Sequence, residues 1–240
     1  MKVKEMARIQ DDRKRFAKKL ALVVASLDAG HKAYLDSETF GGPSLHFHLT
    51  SLAAVKDGDF DRFAEHVYAL LSAWGMHRMG PGGSKMTDFK PFKDSLLNVR
   101  PAADRLLNKK PEALGSAGWR DLEEVFRGIR CMASASSLVG NSKLMAHWLP
   151  NLVPPIDRTY TLKLLYGRTS IKNGLDNEWA MLREMLEGFF YPLLREPKFK
   201  TRVSRWLVGG SQCTWDTSPL KIADNVVIGF IKSDPKRRKE

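Results

Sequence analysis

Apolar residues recur three and four positions apart through almost the whole chain, and that spacing commits it to helices, because it gathers them on one face of a 3.6-residue turn. Phe16, Leu20, Val23, Val24 and Leu27 make such a stripe within 5–27, beyond a basic first half. Asp59 stands where a cap belongs, ahead of Phe60, Phe63, Val67, Leu70, Leu71 and Trp74. Further helices are expected at 89–107, 119–136, 142–149, 157–166, 177–194 and 198–207, and Ser218 followed by Pro219 signals the start of another at 219–231. Only 44–49 alternates in the manner of a strand. The expected fold is all-α, with one domain or two closely packed lobes over 1–231 and a basic tail at 232–240.

At 240 residues, 43% of them hydrophobic, the chain is long enough to bury a substantial core. Its two cysteines, Cys131 and Cys213, lie far apart and form no CxxC pair, so neither a disulfide framework nor a cysteine zinc site is suggested and a reducing cytosol suits the chain. Lysine plus arginine number 39 against 27 acidic residues, for a net charge of +12 and a pI near 9.7. Such an excess favours a polyanionic partner through phosphate neutralisation and counterion release, nucleic acid first and an anionic membrane surface second. The N-terminus, MKVKEMARIQDDRKR, is too charged for a secretory signal, and no apolar run approaches the roughly 18 residues of a membrane span. A soluble, cytoplasmic, monomeric protein is expected, without a membrane partner.

Two loops invite and then refuse a cofactor. The segment 75–85, GMHRMGPGGSK, breaks the second helix and is basic, but its lysine misses the phosphate-loop spacing and no strand precedes it. His46 and His48 could bind a metal only with distant ligands, so neither metal nor cofactor is expected. The run Lys236 to Lys239 (KRRK) reads as a basic arm.

The densest chemistry lies in 137–160, SLVGNSKLMAHWLPNLVPPIDRTY. Leu138, Val139 and Gly140 read as a tight turn between two helices, which would leave the amides of Gly140, Asn141, Ser142 and Lys143 facing an anion at a helix N-terminus. A DNA phosphate would satisfy them, and Lys143 would add a point charge. Fourteen residues beyond Lys143, Asp157 falls where the next helix begins. Taken alone, it is an N-cap.

These residues resemble the helix-hairpin-helix superfamily of DNA glycosylases, in which a glycine hairpin precedes a helix start of the type Val-Asp-Thr-His. Here Leu138, Val139 and Gly140 correspond to the hairpin, and Ile156, Asp157, Arg158, Thr159 and Tyr160 to the helix start. The series Lys143, His147, Pro150, Leu152, Pro154, Asp157 resembles a divergent branch of the same superfamily. The hairpin lacks the usual proline and first glycine, and the Schiff-base lysine position of bifunctional members falls on Ser142, with Lys143 next to it.

The resemblance implies an all-α enzyme that flips a modified or damaged base out of duplex DNA and hydrolyses its N-glycosidic bond. Asp157 would stabilise the oxocarbenium-like sugar, with Lys143 a second catalytic candidate. Gly140, Asn141, Ser142, Arg158, Arg78 and Lys85 would hold DNA. A base pocket would draw on Trp74, Met76, His77, His147, Trp148 and Trp215. Enlarged bases of phage DNA are one target class, which would make the protein a defence factor. The rival readings are a non-catalytic nucleic-acid-binding protein and a helical module whose charge serves an acidic protein.

Overall fold

The computed structural model describes residues 2–37, 42–77, 85–134, 136–208 and 214–233, with side chains from Lys14 onward except at 208. Arg78, most of the 75–85 loop, Cys213 and the KRRK tail lie outside the described residues. In chain order the helices are α1 (Lys2–Ala25), α2 (Leu27–Ser37), α3 (Gly42–Asp57), α4 (Phe60–Ala73), α5 (Phe89–Asp104), α6 (Ser116–Gly128) and α7 (Leu138–Trp148). A π-type turn, Arg158–Leu162, leads into α8 (Lys163–Tyr166), and α9 (Leu175–Met185), α10 (Tyr191–Arg195), α11 (Pro197–Val208) and α12 (Pro219–Lys232) follow. A second π-type turn, Leu186–Phe190, links α9 to α10. The protein is all-α: among the described residues the only extended pairing is an isolated bridge between Met86 and Met132. No helix among them is long and apolar enough to cross a membrane.

The chain forms two compact units, one of 1–39, 157–170 and 183–240, the other of 40–156 and 171–182. In the second unit α3 and α4 form a hairpin turned by Gly58, whose φ of 73° suits glycine, and by Asp59, whose carboxylate accepts from the Arg62 amide. Phe63, Phe92 and Phe126 are fully buried in its core. Residues 44–49 are helical, not extended, and their burial shows why. Ser44, His48, Ser51 and Ala54 face inward at helical intervals, whereas Leu49 is 41% exposed, so the alternation of apolar residues does not follow the buried face.

In the first unit α2 and α12 make the most intimate helix pair. The contact is possible because Gly30 and Gly229 face each other's backbone: a Cβ on Gly229 would overlap the Gly30 carbonyl, and one on Gly30 would stand 2.9 Å from the Val226 oxygen. A buried polar cluster secures the same region. His31 Nε2 lies 2.7 Å from Asp216 Oδ2, Asn225 Nδ2 donates to Asp216 Oδ1 at 2.8 Å, and Lys221 Nζ donates to Asp224 Oδ2 at 2.7 Å and to Asn225 Oδ1. Ser218 caps α12 by accepting from the Lys221 amide, and Pro219 occupies its first turn, as the sequence indicates.

Backbone cannot retreat as a side chain can, so Gly229→Ala must part α2 from α12. A loss of about 3 kcal/mol is expected, the upper end of overpacking costs, read from urea unfolding.

Candidate active site

Helix α7 starts earlier than its glycine suggests. The Asn141 amide donates to the Ser137 carbonyl at 2.8 Å, which makes Leu138, Val139 and Gly140 the first helical turn rather than a hairpin. The preceding helix ends correspondingly early, at Gly128, and Ile129 adopts extended angles. What joins α6 to α7 is an extended stretch held against 85–87: the Thr87 amide donates to the Cys131 carbonyl and the Ala133 amide to that of Lys85, both at 2.9 Å. The Asn141 side chain closes α6 from the far side, donating to the carbonyls of Phe126 (2.8 Å) and Ile129 (3.1 Å).

The anion at the α7 N-terminus is the protein's own. Glu178 is fully buried; one carboxylate oxygen accepts from the amides of Ser137 (2.7 Å) and Leu138, and the other from Gly174 at the head of its own helix (3.0 Å). This corrects the expected phosphate grip. Gly140, Asn141 and Ser142 are buried, the Asn141 amide is used within the helix, and the position of a Gly140 Cβ is walled by Cys131, Met76 and Met132. Burial also drives the Cys131 thiol far above its ordinary range, so this cysteine is inert packing. Glu178 itself was invisible as a site residue, because in the sequence it reads only as an acidic residue in the first turn of α9.

Ser142 acts inside the protein instead. Its hydroxyl donates to the Val139 carbonyl and accepts from the Ile156 amide, both at 3.2 Å, fixing the backbone one residue ahead of Asp157. Asp157 Oδ1 accepts from the amides of Thr159 (2.7 Å) and Tyr160 (3.3 Å), while its own amide donates to the Thr161 hydroxyl at 3.4 Å. It caps a turn wound more widely than an α-helix, the Leu162 amide reaching back five residues to the Asp157 carbonyl at 3.0 Å. Such π-type turns recur at functional sites. Arg158, the next residue, is exposed.

Four candidates from separate segments do meet within the second unit. The Lys143 ammonium lies 5.2 Å from the centre of the Trp74 ring, and Trp74 lies 5.5 Å from the ring of His147. The Met76 methyl packs where α7 passes at Gly140. His147 is 1% exposed, and its Nδ1 donates to the Lys143 carbonyl at 2.8 Å, an acceptor that settles which nitrogen carries the proton. Its Nε2 then faces His48 Nδ1 at 2.7 Å, the two rings perpendicular.

The remaining candidates disperse. Trp148 packs against Phe60 and Phe63 in the core, with ring centres 6.0 and 5.3 Å away, so it is not a pocket wall. Trp215 belongs to the first unit and is buried, its ring 5.9 Å from the Lys221 ammonium. His77 and Lys85 are exposed. Among the described residues no cluster of three or more His, Cys, Asp or Glu is placed to hold a metal.

Glu178→Ala strands three amides at once and should cost about 3 kcal/mol in urea unfolding, against about half that for Glu178→Gln, which keeps one acceptor. Compared with known protein families, curated proteins and solved structures, the chain matches none.

Proposed function

We propose that the chain is a DNA N-glycosylase that flips a modified or damaged base out of duplex DNA and hydrolyses its glycosidic bond with the help of Asp157, leaving an abasic site. The observation that supports this reading most is the hold on Asp157. Two backbone amides fix one carboxylate oxygen at the mouth of a π-type turn, and the preceding residue is bound to α7 through Ser142.

Cleavage of the bond between sugar and base builds positive charge on the deoxyribose. A carboxylate held in place stabilises that charge and orients the attacking water, and because it is already positioned it need not reorganise at the moment of reaction. The base must leave the stack before it reacts, and an aromatic face beside a cation suits an unstacked base. Trp74 with Lys143 offers that combination in the second unit. Lys143, resting on the indole, serves as a charge toward DNA rather than as a Schiff-base nucleophile, so the enzyme is monofunctional. Enlarged bases of phage DNA are the substrate class that would make the protein a defence factor.

A second reading rests on the same capping geometry: Asp157 is an N-cap and nothing more, and the protein binds nucleic acid without chemistry. Asparagine caps a helix as well as aspartate does but carries no charge, so one substitution separates the readings. With Asp157→Asn, stability should hold within about 0.5 kcal/mol, while release of bases from a panel of modified duplexes and phage DNAs, read as alkali-labile sites and by mass analysis, should fall about 10²–10³-fold. Unchanged release, or none from wild type on any DNA, leaves the non-catalytic reading.

A further inference from the structure

The positive charge of the chain is not spread over it. The first unit carries 24 lysines and arginines against 14 aspartates and glutamates, the second 15 against 13, so that +10 of the net +12 belongs to the first. The second unit also neutralises much of what it has: Arg62, Lys90, Lys93, Arg100, Arg105 and Arg127 each sit within 4.0 Å of a carboxylate of the same unit.

Helix α11 shows the opposite arrangement. Its sequence, PKFKTRVSRWLV, contains no acidic residue. Its inner face is anchored three ways: Phe199 and Val203 are buried, the Trp206 ring stacks on His31 with centres 3.9 Å apart, and Arg202 makes a forked pair with Asp28 at 2.8 Å. The outer face presents Lys198, Lys200 and Arg205, all exposed, with the exposed Thr201 and Ser204 between them; among the described residues none of the three is within 4.0 Å of a carboxylate, and Arg205 acts through space on Asp28, helping to hold its carboxyl below the usual range. From Lys198 to Arg205 the helix rises about 10 Å. One DNA strand passes about three phosphates in that length.

We propose that the outer face of α11 is a docking surface for the phosphate backbone of duplex DNA. Lys198 and Arg205 stand two turns apart on one flank of the outer face and Lys200 on the other, and phosphates laid along it would be neutralised from both flanks while condensed counterions are released. The interleaved Thr201 and Ser204 hydroxyls donate to the Pro197 and Lys200 carbonyls of their own helix, both at 3.0 Å, so the cations carry the contact. A membrane-binding helix would instead turn aromatic and branched apolar side chains outward. Here Phe199 and Val203 point into the core, Trp206 is spent on His31, and among the described side chains of the helix Leu207 is the one exposed large apolar residue. The surface rests on the reading of the chain as a DNA-binding protein but not on its chemistry.

The test is the salt dependence of binding to a modified duplex, measured by fluorescence anisotropy on the full chain. Combining Lys198→Ala, Lys200→Ala and Arg205→Ala should lower the slope of log K against log salt by about 2 to 3, as loss of about three phosphate contacts requires. The matched set Lys56→Ala, Lys110→Ala and Arg120→Ala on the second unit removes the same charge and should lower it by less than about one. If the α11 set destabilises the fold, Lys200→Ala alone should lower the slope by about 0.9. Equal effects of the two sets, an unchanged slope, or binding confined to phosphatidylserine vesicles overturns the surface. Base release measured on the same duplex keeps the two claims apart: an unchanged slope with Asp157-dependent release sinks the surface alone, whereas a lowered slope with no release supports the surface and sinks the enzyme.

Discussion

Burying a full carboxylate is costly unless hydrogen bonds replace its water, and in the second unit the placement of the whole 137–156 stretch depends on how Glu178 meets that demand. Its two oxygens collect amides from the heads of two helices, α7 and its own, where the helix dipoles add to the attraction. The bond fixes where α7 begins and therefore which side chain leaves it in which direction. Asn141 turns to the open end of α6, Ser142 to the Ile156 amide, and Lys143 and His147, four residues apart, to Trp74. A carboxylate that carries no chemistry thus sets the geometry of the residues that can.

Much of this fold was legible in the chain, and the illegible parts share a cause. Helices α4 and α12 follow from a cap residue, a first-turn signal and a regular apolar stripe, all within one turn of each other in sequence. The start of α7 could not be read that way. Gly140 signals a turn to any local argument, and what makes it helical is a carboxylate 38 residues further on together with close packing against Cys131 and Met76. Residues 44–49 failed for a related reason: the face that α3 buries carries serine, histidine and alanine, and a search for apolar periodicity looks at the wrong residues. Long-range polar contacts decide these elements, and hydrophobic spacing carries no record of them.

The candidate residues divide along the same line. Trp74, Met76, Lys143 and His147 come together because helical spacing puts Lys143 and His147 on one side of α7 and the end of α4 delivers the other two. Trp148, one position beyond His147, is turned about 100° round the helix and enters the core against Phe63. For Asp157 the local signal was complete: a residue suited to capping stands at a helix start, and it caps. Capping and catalysis make compatible demands on that carboxylate, since a group held by two amides is both a good cap and a preorganised charge.

Electrostatics completes the picture by moving the grip on a polyanion away from the helix terminus. Amides at a helix head attract any anion, and a buried glutamate of the same chain is always present at high effective concentration, so a DNA phosphate cannot compete for the head of α7. What remains for an external polyanion is surface charge that the protein leaves unneutralised. Composition fixes the amount of that charge but not its address. The address follows from the ion pairs: where the second unit matches Lys93, Arg105 and Arg127 among others with aspartates and glutamates, α11 of the first presents lysine and arginine with only hydroxyls between them. A helix held by its inner face, with Lys198 and Lys200 of its outer one paired to no carboxylate among the described residues, is the attachment point we propose for phosphates whether or not the carboxylate of Asp157 goes on to act on the sugar.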